Sequence, residues 1–349
     1  MDPNMIEKKL LLLYLYFGYN FFKLRNLIEK NFHDNFETTI DLLFRKLEIN
    51  EDEIIKRYNF DFNSEGYKNR VKFFFDKDFP DFLYENNAGV IFYDGDWELL
   101  NRRFFRISVV GSRKPLTVTS KFTNDVIRIL SSFENVVIVS GLAAGVDTIS
   151  LKEALLNKMK SIAILGNGID YYYPYMNRSL QQKIAVDGLV FSEYLPHQRP
   201  NKYFFPYRNR LISCVSEVII VIQASKNSGS VITGNYALEM GKTLIVPYLQ
   251  SSEEFEGSKE LINSGGIMIT KPSEVLNYLP FVSNTVAHET NYDSDYQVLE
   301  IIKNQPGIKI EKISNILNIP LPKIVEIITN LEIEGKIYTD FNYSVFIVE

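Results

Sequence analysis

Cysteine is almost absent from this chain: Cys214 stands alone among 349 residues. A single thiol excludes an intramolecular disulfide framework and a multi-cysteine zinc site, and it fits a reducing compartment. Histidine is nearly as scarce. His33, His197 and His288 lie far apart in sequence, which argues against a histidine-rich metal cage. No apolar run reaches bilayer-spanning length. The best candidate, 10–22, contains Tyr14, Tyr16, Gly18, Tyr19 and Asn20. Lys23, Leu24 and Arg25 follow it where a signal peptide would place small residues for cleavage. The stretch reads as a buried amphipathic helix, with no membrane contact and a cytoplasmic protein as the expectation. An excess of positive charge is also missing. The 38 Lys and Arg against 43 Asp and Glu leave a net charge of −5, so an anionic partner needs a local basic patch.

What is present suits a folded, multidomain protein. Hydrophobic residues make up 46% and charged residues 23%, which excludes wholesale disorder, and the length suggests two or three domains. Residues 1–65 read as a small helical accessory domain. Leu10, Leu13 and Phe17 recur at helical spacing, as do Phe36, Ile40, Phe44 and Leu47, before an acidic turn at Glu51-Asp52-Glu53. From about 70 to 280 the texture changes. Apolar runs at 107–110, 136–139, 162–165, 189–191, 218–222, 244–246 and 267–269 alternate with helical segments at 117–132, 146–157, 176–186 and 230–240. Such runs indicate parallel strands buried on both faces. The expected fold is a doubly wound α/β sheet that binds ligands at the C-terminal ends of its strands. Residues 281–293 read as a linker. Residues 294–349 read as three helices and a hairpin around Asn342, the winged-helix pattern.

The chemistry gathers at the strand ends. Gly111-Ser112-Arg113-Lys114 follows the first run, Gly141 to Gly145 and Asp147 the second, Gly166-Asn167-Gly168 the third, and Ser228-Gly229-Ser230 the fifth. Glycine lets an anion approach backbone N–H groups, and the next helix N-terminus adds a positive dipole. Four such loops on one edge point to a phosphate-bearing ligand. The named nucleotide motifs fail. Gly166 and Gly168 lack a third glycine, and Gly241-Lys242-Thr243 follows a helix and is preceded by Tyr236 where a P-loop needs glycine. There is no G-x-S-x-G elbow, and His197 beside Pro196 reads as a surface residue. Tyr203-Phe204-Phe205-Pro206-Tyr207-Arg208-Asn209-Arg210 interleaves rings with guanidinium groups, which suits single-stranded nucleic acid. The same residues would equally suit a core pair of phenylalanines with arginines paired to local carboxylates.

These residues in this order resemble the DNA-processing protein A family (DprA, also called Smf). The likeness runs through Gly111-Ser112-Arg113, Ser140-Gly141-Leu142-Ala143 to Asp147, Leu165-Gly166-Asn167-Gly168, Tyr173-Pro174, Asn177, and Ser192-Glu193. It continues through Phe205-Pro206, Arg208-Asn209-Arg210, Ser228-Gly229-Ser230, Thr233, Gly241, Gly257 and Leu261-Ile262, with Phe79-Pro80 as a lead-in. The resemblance implies an extended Rossmann-like domain that binds single-stranded DNA without sequence specificity. It implies a homodimer, delivery of the DNA to the RecA recombinase in natural transformation, no cofactor and no turnover chemistry. It also suits a SAM-like N-terminal helical domain. It makes Arg113 the first candidate for a phosphate contact, with Arg178 and Lys202 adding charge and Phe205 stacking beside the DNA. Arg208 and Arg210 would support the groove, and Asn209 would cap a turn. Leu261 and Ile262 would lie at the dimer contact.

The chain departs from the family pattern at four positions. Ala144 stands where a polar or basic residue is frequent, Leu151 where histidine is, Gln223 where glutamate is, and Tyr248 where glycine follows the proline. Two other readings compete. A nucleotide sensor or nucleoside-phosphate hydrolase of related fold would carry a Pro-Gly-Gly-x-Gly-Thr loop, which Ser225 to Ser230 lacks. A duplex-DNA regulator would need cations on 321–334, where Lys323 faces Glu326, Glu332 and Glu334.

Overall fold

Val and Ile fill the strand runs because a β-branched side chain packs well on a pleated surface and both faces of these strands are covered. The computed structural model describes residues 3–32, 35–60, 70–280, 298–317, 319, 321–333, 335–340 and 344–347. The linker at 281–293, His33, His288 and Asn342 lie outside the described residues, as do the side chains of Lys323 and Glu326 and the whole of Glu334. The described chain forms two compact units, Met1–Ser273 and Glu274–Glu349.

The first unit is built on nine strands: β1 (Val71–Phe73), β2 (Val90–Gly95), β3 (Phe105–Gly111), β4 (Val136–Ser140), β5 (Lys160–Ile164), β6 (Leu189–Ser192), β7 (Val218–Ile222), β8 (Thr243–Pro247) and β9 (Ile267–Ile269). Their order across the sheet is β1-β2-β6-β5-β4-β3-β7-β8-β9. All pairs from β6 to β9 are parallel, with Ile107 opposite Ile138 on one side and Val218 on the other. All seven strands read from the sequence are present. The sequence reading missed β1 and β2, which extend the sheet antiparallel beyond β6. The crossover helices include Thr117–Leu130, Val146–Leu156, Arg178–Asp187 and Gly229–Glu239, within two residues of the expected bounds at each end. A further helix, Phe204–Val215, carries the basic-aromatic cluster.

The N-terminal residues form the helices Pro3–Tyr16, Phe21–Lys30, Phe36–Lys46 and Glu51–Tyr58. The stretch 10–22 is not one amphipathic helix. It breaks at Gly18 and Tyr19, both at positive φ, and every residue from Leu10 to Leu15 is buried, so this part of the first helix is covered all round. Asn20, Asn35 and Asn50 each cap the next helix, accepting from the backbone N–H three residues on. Glu51-Asp52-Glu53 is therefore no turn but the first turn of a helix, where the dipole favours carboxylates. These helices pack on the α/β part within the same unit. Tyr14 donates from Oη to the Glu193 carbonyl at 3.1 Å, and Arg25 lies 4.2 Å over the Tyr84 ring.

The second unit includes a helix over 298–304, then β10 (Ile308–Lys309), the helices Ile310–Leu317 and Leu321–Ile333, β11 (Ile337–Thr339) and β12 (Ser344–Ile347). β12 pairs antiparallel with both other strands, over a core that includes Val298, Ile313, Ile324 and Leu331. β10 is an addition to the expected helices and hairpin: two residues are too few to show an alternating pattern.

Candidate nucleic-acid interface

Strand order reverses at β3: the chain steps from it to β4 on one side, while β7 and β8 lie on the other. Loops leaving β3 and β7 diverge there and leave a crevice at the strand ends. In this structure that crevice is a groove of about 1130 Å³. Gly111, Ser112, Arg113, Lys114 and Leu116 form one wall, Ser225 and Asn227 to Ser230 the opposite one, and Lys202, Phe205 and Asn209 help close the side. Arg113, Lys114 and Lys202 are exposed. The Arg113 guanidinium lies 5.7 Å from the Phe205 ring centre, and the Tyr173 ring lies 5.5 Å from it on a tilted plane. A cation and two rings thus line one continuous surface.

The glycines shape this surface from within. A Cβ would lie 1.9 Å from the Ile222 carbonyl oxygen at Gly111, 2.2 Å from Ser112 O at Gly145, and 2.1 Å from Leu195 O at Gly168. At Gly141 it would meet the Arg208 guanidinium at 2.5 Å, and at Gly166 the Phe205 ring at 2.6 Å. The backbone and side chains approaching these glycines belong to the protein itself. Gly229 differs: its nearest neighbour is Asn209 Nδ2 at 3.8 Å, so its face is open. Ser228 caps the helix Gly229–Glu239 by accepting from the Val231 N–H, and Ser230 is buried in the groove wall.

Arg208 and Arg210 stand two positions apart in sequence and part company in space. Arg208 is buried under the groove floor. Its Nη1 donates to the carbonyls of Gly141 and Ile164, and its Nε donates to Asn209 Oδ1. It therefore joins the loop after β4 to the end of β5. Asn209 in turn donates to the Gly229 carbonyl at 3.0 Å and ties in the β7 loop rather than capping a turn. Arg210 points away from the groove. It holds Glu193 with two bonds of 2.7 and 2.6 Å, donates to the carbonyls of Asn86 and Asn87, and lies 3.8 Å over the Tyr207 ring. Its charge is spent inside the protein, which removes it from the groove-supporting set. Arg178 is exposed but stands outside the groove lining, over the Tyr172 ring at 5.0 Å. Leu261 is wholly buried, packed against Gly234, so no second chain can touch it; Ile262 is half-buried against the same core.

Asp147, Gln223 and Tyr173 line the groove without having been picked out as site residues. Asp147 accepts the N–H groups of Gly141 and Ala143 through one oxygen. Burial raises its carboxyl to about 6, against the pull of the Arg208 charge, and burial lowers the Arg208 guanidinium to about 10. Gln223 pins the β3 loop. Its Oε1 accepts from the Leu116 N–H at 2.9 Å and the Thr119 hydroxyl at 2.7 Å. An amide does this without placing an anion beside Arg113 and Lys114. A carboxylate opening a helix after a glycine loop is the sequence signal that points to Asp147; Gln223 and Tyr173 have no comparable one. Of the groups set aside from the sequence, Cys214 is buried and its thiol is pushed up to about 12 by burial. His197 is exposed, 3.7 Å from Asp170. Among the described residues no group of three or more His, Cys, Asp or Glu could hold a metal ion.

The model of the DNA recombination-mediator protein A family matches residues 70–280. The chain belongs to this family. The match takes in all nine strands of the large sheet and the whole groove, and leaves the N-terminal helices and everything after residue 280 outside it. Curated members of the family are similar over the same region. The DNA processing protein DprA of Streptococcus pneumoniae is 38% identical over 194 residues, 55% of this chain and 67% of that protein. Protein Smf of Synechocystis is 34% identical over 206 residues, 58% of this chain and 52% of that one. The Escherichia coli Protein Smf is 31% identical over 261 residues. The aligned segments thus span about half to two thirds of these relatives. Among solved structures, that of Streptococcus pneumoniae DprA matches at a TM-score of 0.60 and 31% identity, covering 77% of this chain and 92% of that one. DNA processing protein A of Helicobacter pylori, described for its single-stranded DNA binding mode, matches at 0.53 and 30%, covering 62% and 95%. Both likenesses confirm the extended Rossmann-like fold. Among the described residues no helix is long and apolar enough to cross a membrane.

Proposed function

We propose that this chain binds single-stranded DNA in the β3–β7 groove without reading its sequence, and passes it to the RecA recombinase. The observation that carries the reading is the surface formed by Arg113, Phe205 and Tyr173, with Lys114 and Lys202 exposed on the same walls. A guanidinium and ammonium groups neutralise phosphates, whereas rings take the π-faces of unpaired bases, which every base offers. Nothing in this set reads a base edge, so the binding is indifferent to sequence. The groove opens at strand ends, as a strand crossing the sheet edge requires.

The protein acts in the cytoplasm as a homodimer that binds and hands over DNA and performs no chemistry on it. Ile262 remains available to a dimer contact and Leu261 does not. The second unit is a winged helix that serves a protein contact. Photocrosslinking with an oligonucleotide carrying iodouracil tests the placement of the DNA. Crosslinks mapped by mass spectrometry to Phe205 or Tyr173 support it, and crosslinks confined to 298–347 overturn it. RecA delivery is tested separately, by whether the chain speeds RecA filament growth on DNA already coated by a single-strand-binding protein.

A further inference from the structure

Tyr19 stands where the N-terminal helices meet the groove wall. It is 5% exposed and holds a positive φ of 66°, a conformation that a bulky residue adopts only where its surroundings compel it. Four rings surround it edge-on: Tyr14 at 5.6 Å and Tyr58 at 5.6 Å from the N-terminal helices, Tyr194 at 5.1 Å and Phe204 at 6.0 Å from the α/β part. Tyr194 and Phe204 stack on each other at 3.9 Å. Phe204 opens the helix whose next residue is the groove's Phe205. The Tyr19 hydroxyl donates to Gln198 Oε1 at 2.8 Å, and the Gln198 carbonyl accepts the Gly168 N–H at 2.8 Å. One side chain thereby reaches both the segment carrying Lys202 and Phe205 and the glycine loop after β5.

We propose that the N-terminal helices brace the groove wall and that Tyr19 is the positioning residue through which they do so. The inference rests on the single-stranded DNA reading given above, but the brace itself is a property of the free protein. Neither end of this contact touches DNA. Tyr19 fixes where Phe205 and Lys202 stand, and edge-to-face ring contacts hold a defined orientation in a way that aliphatic packing does not. The helices outside the family match are then part of the DNA-binding device and not a separable appendage.

The test is Tyr19→Ala in the full chain, with two readouts. Hydrogen exchange of the free protein should quicken at 194–205 while β3 and β4 keep their protection. Affinity for an oligothymidylate should fall about tenfold, the size of effect that packed networks exert between sites. The slope of log affinity against log salt should not change, because no phosphate contact is lost. Should Tyr19→Ala melt below the assay temperature, Tyr19→Leu keeps an apolar filling, removes the ring and the hydroxyl, and is read in the same way. Unchanged exchange at 194–205 in a folded variant overturns the brace. So does unchanged affinity in a folded variant. The exchange readout stands even if the wild type binds no DNA, so failure of the brace and failure of the DNA reading are told apart.

Discussion

The guanidinium of Arg113 stands 5.7 Å from the centre of the Phe205 ring, although the two residues leave different strands and lie ninety-odd positions apart. The loop after β3 presents the charge, and the helix Phe204–Val215 presents the ring. Gly166 makes room for that ring, and Gln223 holds the β3 loop in place.

Arg113→Ala should weaken binding to oligonucleotides of every sequence alike. The slope of log affinity against log salt should become shallower by about 0.7, the value per phosphate for a single strand. Arg113 is exposed, so the melting temperature should hold. Binding and melting measured on one preparation separate this outcome from a structural arginine, which would lower the melting temperature and leave the slope alone.

Phe205→Ala removes a stacking face and should cost about 1–3 kcal/mol of binding, with the salt slope kept. Gly166→Ala should reproduce part of this loss, because its methyl group would occupy the position of the ring edge. Anisotropy titrations of the two variants and the double variant check it. A sub-additive double variant is expected of groups in contact.

Glu193→Gln leaves Arg210 buried with one carboxylate oxygen fewer and no opposing charge. Removing one partner of a buried pair costs about 3–5 kcal/mol of stability. Chemical denaturation should show that loss, and the salt slope of DNA binding in the folded protein should not move. A changed slope would return Arg210 to the groove.

Asp147 gives a pH signature. Its folded carboxyl sits at about 6, above its ordinary value, so the folded state holds the proton more tightly than the unfolded chain does. Its contribution is most favourable below about pH 4 and is lost as the pH rises to about 6, after which it is flat. Measured against Asp147→Asn, which can still accept from Gly141 and Ala143, wild-type stability should fall by about 3 kcal/mol across that window. Parallel curves for the two proteins from pH 4 to 7 would contradict this.

Removing 290–349 should leave binding to single strands largely intact, since every groove residue belongs to the first compact unit. A folded truncation that loses most of its affinity would move the site elsewhere.

The parallel sheet was legible because each central strand is buried on both faces and so reads as an unbroken apolar run. β1 and β2 were not: β1 is three residues with Lys72 in the middle, and β2 ends in Asp94-Gly95. The helix Phe204–Val215 hid behind Pro206, tolerated in a first turn, and behind two arginines in a buried face. Arg113 could be picked out because strand-end loops are where anions collect, and Phe205 because it lies in a cluster of rings and guanidinium groups that the family resemblance includes. The split between Arg208 and Arg210 could not, since it depends on Glu193 and on carbonyls from two other loops, all brought together only by the fold. The glycines were legible as close-approach positions, but sequence does not say what approaches.

The central claim is that the groove takes unpaired, phosphate-bearing strands. It is tested most directly by measuring affinity for an oligothymidylate, a blunt duplex of equal length and a mononucleotide, each at two salt concentrations. The account predicts that the single strand binds tightest, with a salt slope that flattens in Arg113→Ala, and that the mononucleotide competes poorly. Equal affinity for the blunt duplex, or full competition by the mononucleotide, would contradict it.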